Sequence, residues 1–232
     1  MTTELGPDLY AGWRGSDLGE ITEALEDRLL AALIGDVAGK RVLEIGCGEG
    51  ALAVSLQRCG AAVTAVDPSW SMISSARDHA RTADCALALA QARGEQLPFA
   101  PAHFDLVLAK TVLCFVGDGQ PFVSEMARVL RPGGKLVIGE LNKWSSWAAQ
   151  RRIRAWLGSR LWKQGRFRTP RELRFLAKTA GLEVEAIRGA VYYPRLTLAA
   201  RYMAPLDVRF ARLTTLGAAF IAMAAVKPEH ER

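Results

Sequence analysis

The stretch Val42–Gly50, VLEIGCGEG, constrains the fold more than any other part of the chain. The apolar residues Val42, Leu43 and Ile45, interrupted by the acid Glu44, read as a buried strand. Gly46, Gly48 and Gly50 follow it at intervals of two, and a helix is predicted from Ala51 onward. Glycine reaches positive φ and lets backbone approach a ligand closely, at an entropic cost that an ordinary loop has no reason to bear. A strand, a glycine turn and a helix in that order form the junction at which nucleotide-like cofactors sit, at the carboxyl end of a parallel sheet.

The glycine spacing leaves the cofactor open. Gly46-x-Gly48-x-x-Ala51 satisfies the dinucleotide fingerprint, and Asp67, closing a strand over Ala62–Val66, stands where an acid would meet a ribose. NAD and S-adenosylmethionine (SAM) both present such a ribose. Further features separate them. Glu44 and Gly50 extend the pattern to E-x-G-x-G-x-G. Leu97-Pro98-Phe99 precedes Phe104-Asp105, which opens an apolar strand, and Arg128–Gly134 reads RVLRPGG before another strand. In this order and spacing the chain resembles class I SAM-dependent methyltransferases of the type-11 branch, which includes quinone and small-molecule methylases. The resemblance runs from about Tyr10 to Pro228. An NAD-dependent oxidoreductase is the competing enzyme class, but no Tyr-x-x-x-Lys or His/Asp catalytic set is present.

The remaining chain alternates in type. A helix is predicted over Ile21–Ile34, then strand Arg41–Ile45, helix Ala51–Arg58, strand Ala62–Val66 and helix Trp70–Arg81. Next come strands around Ala86–Ala90 and Phe104–Ala109, helix Pro121–Leu130 and strand Lys135–Ile138. Helix Pro170–Ala180, stopped by Gly181, strand Leu182–Ile187, a helical stretch and strand Ala218–Val226 complete the series. Such alternation gives an α/β, doubly wound, Rossmann-like sheet of seven strands with helices on both faces. The resemblance implies that the last strand is antiparallel. One methyltransferase domain over residues 1–232 is expected, with an N-terminal lid arm (1–20) and a substrate cap (142–168).

At 50% apolar and 23% charged residues the composition is that of an ordinary soluble core. Met1–Asp8 is polar, and the longest apolar run, Leu216–Val226, is far short of the roughly 20 residues a membrane helix needs. The cysteines Cys47, Cys59, Cys85 and Cys114 show no paired spacing, so no metal site or disulfide framework is expected, and reduced, mostly buried thiols in a cytoplasmic protein are.

Charge is concentrated in one place. Asn142–Lys178 holds 11 Lys/Arg and one acid, while the rest of the chain holds 19 against 23. Four of the six tryptophans, Trp144, Trp147, Trp156 and Trp162, lie there too. On a helical wheel Ala149, Ile153, Trp156, Leu157 and Leu161 share a face that reads as packing, leaving Trp144, Trp147 and Trp162 to wall a pocket or touch a membrane. The arginines admit a solvated face, an anionic small substrate, a lipid surface or nucleic acid. The absence of an Asp/Asn-Pro-Pro-Tyr after the fourth strand and of any Pro-Cys pair argues against nucleic acid.

The resemblance assigns SAM as cofactor and implies roles for its site. Glu44 would orient the glycine loop (Gly46, Cys47, Gly48, Gly50) and the cofactor's ammonium. Asp67 would accept both ribose hydroxyls, while Pro68 and Met72 flank the adenine and Arg93-Gly94-Glu95 line its edge. Tyr10 and Trp13 would fold over as a lid. The chain departs from the family where Arg93 replaces an acid, Ala109 replaces a serine, and Leu113-Cys114-Phe115 stands for Leu-His-His. Lys110, Thr111 and Cys114 then meet the transferred methyl without an imidazole. His79, His103 and His230 look unlike general bases. A thiol, hydroxyl, carboxyl or amine on a small-molecule acceptor is expected, anionic or apolar, with Trp144, Trp147, Tyr192, Tyr193 and Pro194 as pocket walls. A lipid or quinone methylase at a membrane surface and a non-catalytic SAM-binding protein are the alternatives.

Overall fold

A computed structural model describes residues 12–13, 15–159, 162–163 and 165–229. The predicted Tyr10, Leu161 and His230 positions, and most of the N-terminal arm, lie outside those residues.

Seven strands form one sheet in the order β3-β2-β1-β4-β5-β7-β6. They are β1 (Arg41–Ile45), β2 (Ala62–Asp67), β3 (Ala88–Gln91), β4 (Phe104–Lys110), β5 (Leu130–Leu141), β6 (Glu183–Ala190) and β7 (Phe220–Val226). β7 runs antiparallel to both of its neighbours, and the other pairings are parallel. The helices are α1 (Asp17–Ile34), α2 (Ala51–Arg58), α3 (Trp70–Thr82), α4 (Gly119–Val129), α5 (Ser146–Trp156), α6 (Pro170–Thr179), α7 (Thr197–Met203) and α8 (Asp207–Leu213). None of the described helices is long and apolar enough to cross a membrane.

Period-two alternation divides the core. Val42, Leu106, Leu108 and Val137 join the cluster that contains Leu25, Leu29 and Leu30 of α1. Leu43, Ile45, Val107, Leu136 and Ile138 join the opposite cluster with Phe122, Met126 and Leu173 of α4 and α6. The same parity sends Glu44 and Lys110 to the α1 face and Glu140 to the other.

The signature motifs at the sheet's amino end are fasteners. Asp105 accepts from the Arg41 backbone at 2.6 Å and pairs with Arg131 at 2.8 Å. Arg128 donates to the carbonyls of Phe99 and Leu97 at 2.8 and 3.0 Å while paired with Glu125 at 2.7 Å. The RPGG segment lies inside β5, not ahead of it: its register jumps between Phe104 and Leu106, Gly133 takes φ 70°, and Lys227 donates to the carbonyls of Ala127 and Leu130. Helix α4 therefore ends at Val129 and β5 starts five residues earlier than the pattern predicts.

The cap leaves the sheet at the end of β5 and closes at its base. Asn142, 1% exposed, donates to the carbonyls of Thr215 and Ala218. Lys143 N donates to Arg168 O at 2.9 Å and Arg168 N to Leu141 O at 3.2 Å. A capping box of Thr169 and Glu172, with Pro170 in the first turn, then restarts the chain as α6.

The helical wheel of the cap is corrected. Trp147 is 2% exposed, whereas Ile153, Trp156 and Leu157, read as packing, are 57%, 85% and 71% exposed. The reason is the directional bond from Trp147 Nε1 to Tyr193 O at 2.7 Å, which fixes the buried side of α5 irrespective of where its aliphatic residues fall. Trp144 is also exposed.

Candidate cofactor and acceptor site

The glycine turn is held by its own sheet. Gly46 N and Cys47 N both donate to Val66 O, at 2.7 and 3.0 Å, folding the loop across the end of β2. Asp67 binds the turn from the other side: Oδ2 accepts from Gly48 N at 3.0 Å and Oδ1 from Ser69 N at 2.9 Å. Ser69, not Asp67, is the N-cap residue of α3.

The three glycines have different reasons. A Cβ at Gly46 would stand 2.3 Å from Val112, and one at Gly50 3.0 Å from Ala76, so both serve close packing of the protein on itself. Gly48, at φ 52°, has nothing within 4 Å of its Cβ position. Its positive φ leaves its edge of the turn open, beside Asp67.

Glu44 is the anomaly of β1. It is 3% exposed, and its Oε2 has no hydrogen-bond partner among the described residues. Burial pushes its carboxyl up to about 8, with Lys110 pulling the other way. Lys110 itself is committed to α1, at 2.7 Å from Asp27 and 3.4 Å from Glu26. Burial likewise raises Glu26.

Around the loop, Met72 is buried while Pro68 is exposed, its carbonyl accepting from Gln91 at 2.9 Å. Gly94 sits against Phe122, 2.1 Å from its Cβ position, and Arg93 reaches outward to Glu95 at 3.9 Å. Ala109 is buried at the end of β4, followed by Thr111 at φ 57°. Burial raises the Cys47 and Cys114 thiols, so neither is a ready nucleophile. Of the four free cysteines these two are buried, while Cys59 is exposed and Cys85 half-buried.

Two groups that the pattern missed organise the far side. Glu140, fully buried and pushed up to about 7 by that burial, accepts from Leu141 N at 3.3 Å through Oε2, while its Oε1 has no partner among the described residues. It lies beside the turn Leu113–Phe115 that follows β4. An acid inside the apolar run LVIGEL was its visible signal. Asp207 accepts from Val191 N at 3.1 Å and Tyr192 N at 2.9 Å, holding Val191 at φ 66°, a conformation β-branched residues avoid. That kink sends the two tyrosines apart. Tyr192 packs on Phe210 and bonds Thr214 O, away from the glycine loop, while Tyr193 joins the cap, 3.0 Å from Thr22 of α1.

The cap and arm meet in an aromatic cluster. Trp13 packs edge-on against Trp147 at 5.8 Å, and Trp147 edge-on against Tyr193 at 6.3 Å. The Trp13 ring thus packs on Trp147 of the cap and under the Arg195 guanidinium. Arg166 N donates to Cys114 O at 2.7 Å, joining the cap to the turn after β4.

The site fits SAM on two counts. Gly48 leaves open space beside Asp67, and Glu44 offers a buried carboxyl oxygen without a partner among the described residues. Two acids beside the turn suit a cation such as the SAM ammonium and oppose the pyrophosphate of NAD.

Comparison with known proteins agrees. The model of the methyltransferase domain family matches residues 43–138. An uncharacterized protein of Mycobacterium tuberculosis is 35% identical over 224 residues, covering 96% of this chain and 72% of the relative. The ubiquinone biosynthesis O-methyltransferase of Xanthomonas euvesicatoria is 33% identical over 165 residues, 68% of this chain and 69% of that one. A solved SAM-dependent methyltransferase from Thermotoga maritima shares the fold at a TM-score of 0.72, with 22% identity and 95% of each chain covered. From glycine turn to antiparallel last strand, then, this chain belongs to the class I SAM-dependent methyltransferases.

Proposed function

We propose that this methyltransferase acts on a small aromatic molecule, with a hydroxyl oxygen as the acceptor atom. The observation carrying the proposal is the aromatic wall in which half-buried Trp13 packs over Trp147 and Tyr193, both buried, held together by α1 and the cap near the turn after β4. The name of the Xanthomonas relative, an O-methyltransferase of ubiquinone biosynthesis, supports oxygen on a quinone-like ring.

When bound, SAM supplies a methyl group already activated on a sulfonium, so positioning is the main demand on the protein. Glu44 would neutralise the ammonium, Gly48 would let the loop approach it, and Asp67 would take the ribose hydroxyls. Met72, Pro68 and the Arg93–Glu95 turn would frame the adenine. Glu140 would brace the Leu113–Phe115 turn, the acceptor's floor, while Trp13, the half-buried ring of the wall, would offer the acceptor a face to stack on. Residues 1–232 would act as one domain, with 1–20 as lid and 142–168 as cap.

A membrane-borne acceptor is the second reading, favoured by one observation: the basic helix α5 exposes Ile153, Trp156 and Leu157. Methyl-labelled SAM, incubated with the protein and fractionated cell extract, tests both. Label in the small-molecule organic fraction is expected, label in lipid selects the second reading, and label confined to protein or RNA overturns the proposal.

A further inference from the structure

Arg151 of the cap and Arg195, which follows β6, both stack on tryptophans. The Arg151 guanidinium on α5 lies 5.4 Å from the Trp147 ring and 4.8 Å from the Trp162 ring. That of Arg195 lies 5.0 Å from the Trp13 ring and 5.8 Å from the Trp147 ring. Trp147 is thus shared between two cations. Among the described residues neither guanidinium has a carboxylate within ion-pair distance, and Arg151 Nη1 is buried with no hydrogen-bond partner. Glu26, the acid Arg151 senses, is 3.4 Å from Lys110, which takes up its charge.

Stacking leaves a guanidinium's edge unused. The ring faces occupy the π-surface of the cation, while the N–H fork, which matches a carboxylate in two parallel bonds, projects in the plane. A buried cation without a counter-charge is costly to keep, and a ligand carboxylate would remove that cost. Burial, with Arg195 and Arg154 adding to it, pulls Arg151 down to about 10. Position links the cluster to the turn where β4 ends: the cap that carries Arg151 is tied to it by the bond from Arg166 N to Cys114 O at 2.7 Å.

We infer that Arg151 and Arg195, held against Trp147, form a carboxylate-binding subsite, so that the methyl acceptor is a flat molecule bearing a carboxylate. The inference rests on the acceptor reading above and narrows it: the aromatic wall takes the ring and the guanidinium edge takes the acid. A neutral quinone ring would leave the Arg151 fork unmatched.

The test uses 2-naphthoate and its neutral isostere 2-naphthamide, titrated calorimetrically into the full chain with and without saturating S-adenosylhomocysteine (SAH). Naphthoate should bind at least tenfold more tightly than the amide. Arg151→Met, which keeps the stem's packing and removes the charge, should erase that preference while SAH affinity holds. Arg195→Met should reduce it and serves if the first variant unfolds. Equal affinity for acid and amide, no binding of either, or a preference that survives both substitutions overturns the subsite. Failure of SAH to bind the unmodified chain would instead overturn the cofactor-site reading, and the acid-over-amide preference measured without SAH would still decide this one.

Discussion

Glu44→Gln should stabilise the ligand-free protein above neutral pH while weakening its hold on SAM. In an unfolded chain this carboxyl has its ordinary value of 4.5, and burial on the α1 face of β1 lifts it to about 8. Between those values the folded state keeps a proton that the unfolded state has lost. Stability therefore falls as pH climbs from about 4.5 to 8, and levels off above. At about 1.4 kcal/mol per unit the full span is about 5 kcal/mol, an upper figure because local relaxation absorbs part of it. Glutamine has nearly the same shape and does not titrate. The variant minus parent difference in stability should thus grow through this window, which isolates Glu44 from Glu140, Glu26 and Asp207, whose raised carboxyls titrate in both proteins. The cofactor's ammonium reverses the balance, since it favours the ionised carboxylate. Binding to the parent at pH 7 should release a proton, and the variant should bind about 10- to 100-fold more weakly without that release. Thermal midpoints from pH 5 to 8.5, and calorimetry in buffers of different ionisation enthalpy, read both effects. Parallel stability curves, or proton release unchanged by the substitution, would refute the reasoning.

Three further outcomes follow from contacts in the same region. Gly46→Ala should cost about 2–4 kcal/mol of stability, from a left-handed backbone and a Cβ 2.3 Å from Val112, and Val112→Ala should recover part of it in chemical denaturation. Asp67→Ala should lose SAM affinity at least 100-fold in calorimetry. Its loss of two backbone acceptor bonds should lower stability by about 1–3 kcal/mol with the secondary structure retained in circular dichroism. Asp207→Ala should release the Val191 kink, destabilise by about 1–3 kcal/mol and lower acceptor affinity more than SAM affinity, read by titrating each ligand separately.

What the sequence revealed was mostly local. The strand–glycine–helix junction, the alternation of elements and the capping of α6 each depend on residues a few positions apart, and all are present. The parity of Glu44 and Lys110 was readable, but the partners of Lys110, Glu26 and Asp27, come from a helix some eighty residues away. The early start of β5 is set by a bulge and by Lys227 from the far end of the last strand, neither visible in RPGG. The cap failed for a sharper reason. A hydrophobic wheel assumes that aliphatic residues choose the buried face, yet one indole hydrogen bond to Tyr193 turned α5 around its Trp147. Tyr192 and Tyr193 were equivalent on paper until Asp207 held Val191 at positive φ and divided them.

The central claim is that the open edge of the glycine turn is the cofactor's place, and Gly48→Ala tests it most directly. The added methyl meets no protein atom within 4 Å, so stability should fall only by the cost of a left-handed alanine, about 1–2 kcal/mol. SAM affinity, measured by calorimetry on the folded variant, should drop more than 30-fold because the methyl would occupy space the ligand needs. An affinity equal to that of the parent would mean the space above Gly48 belongs to solvent, and the cofactor site would have to be sought elsewhere.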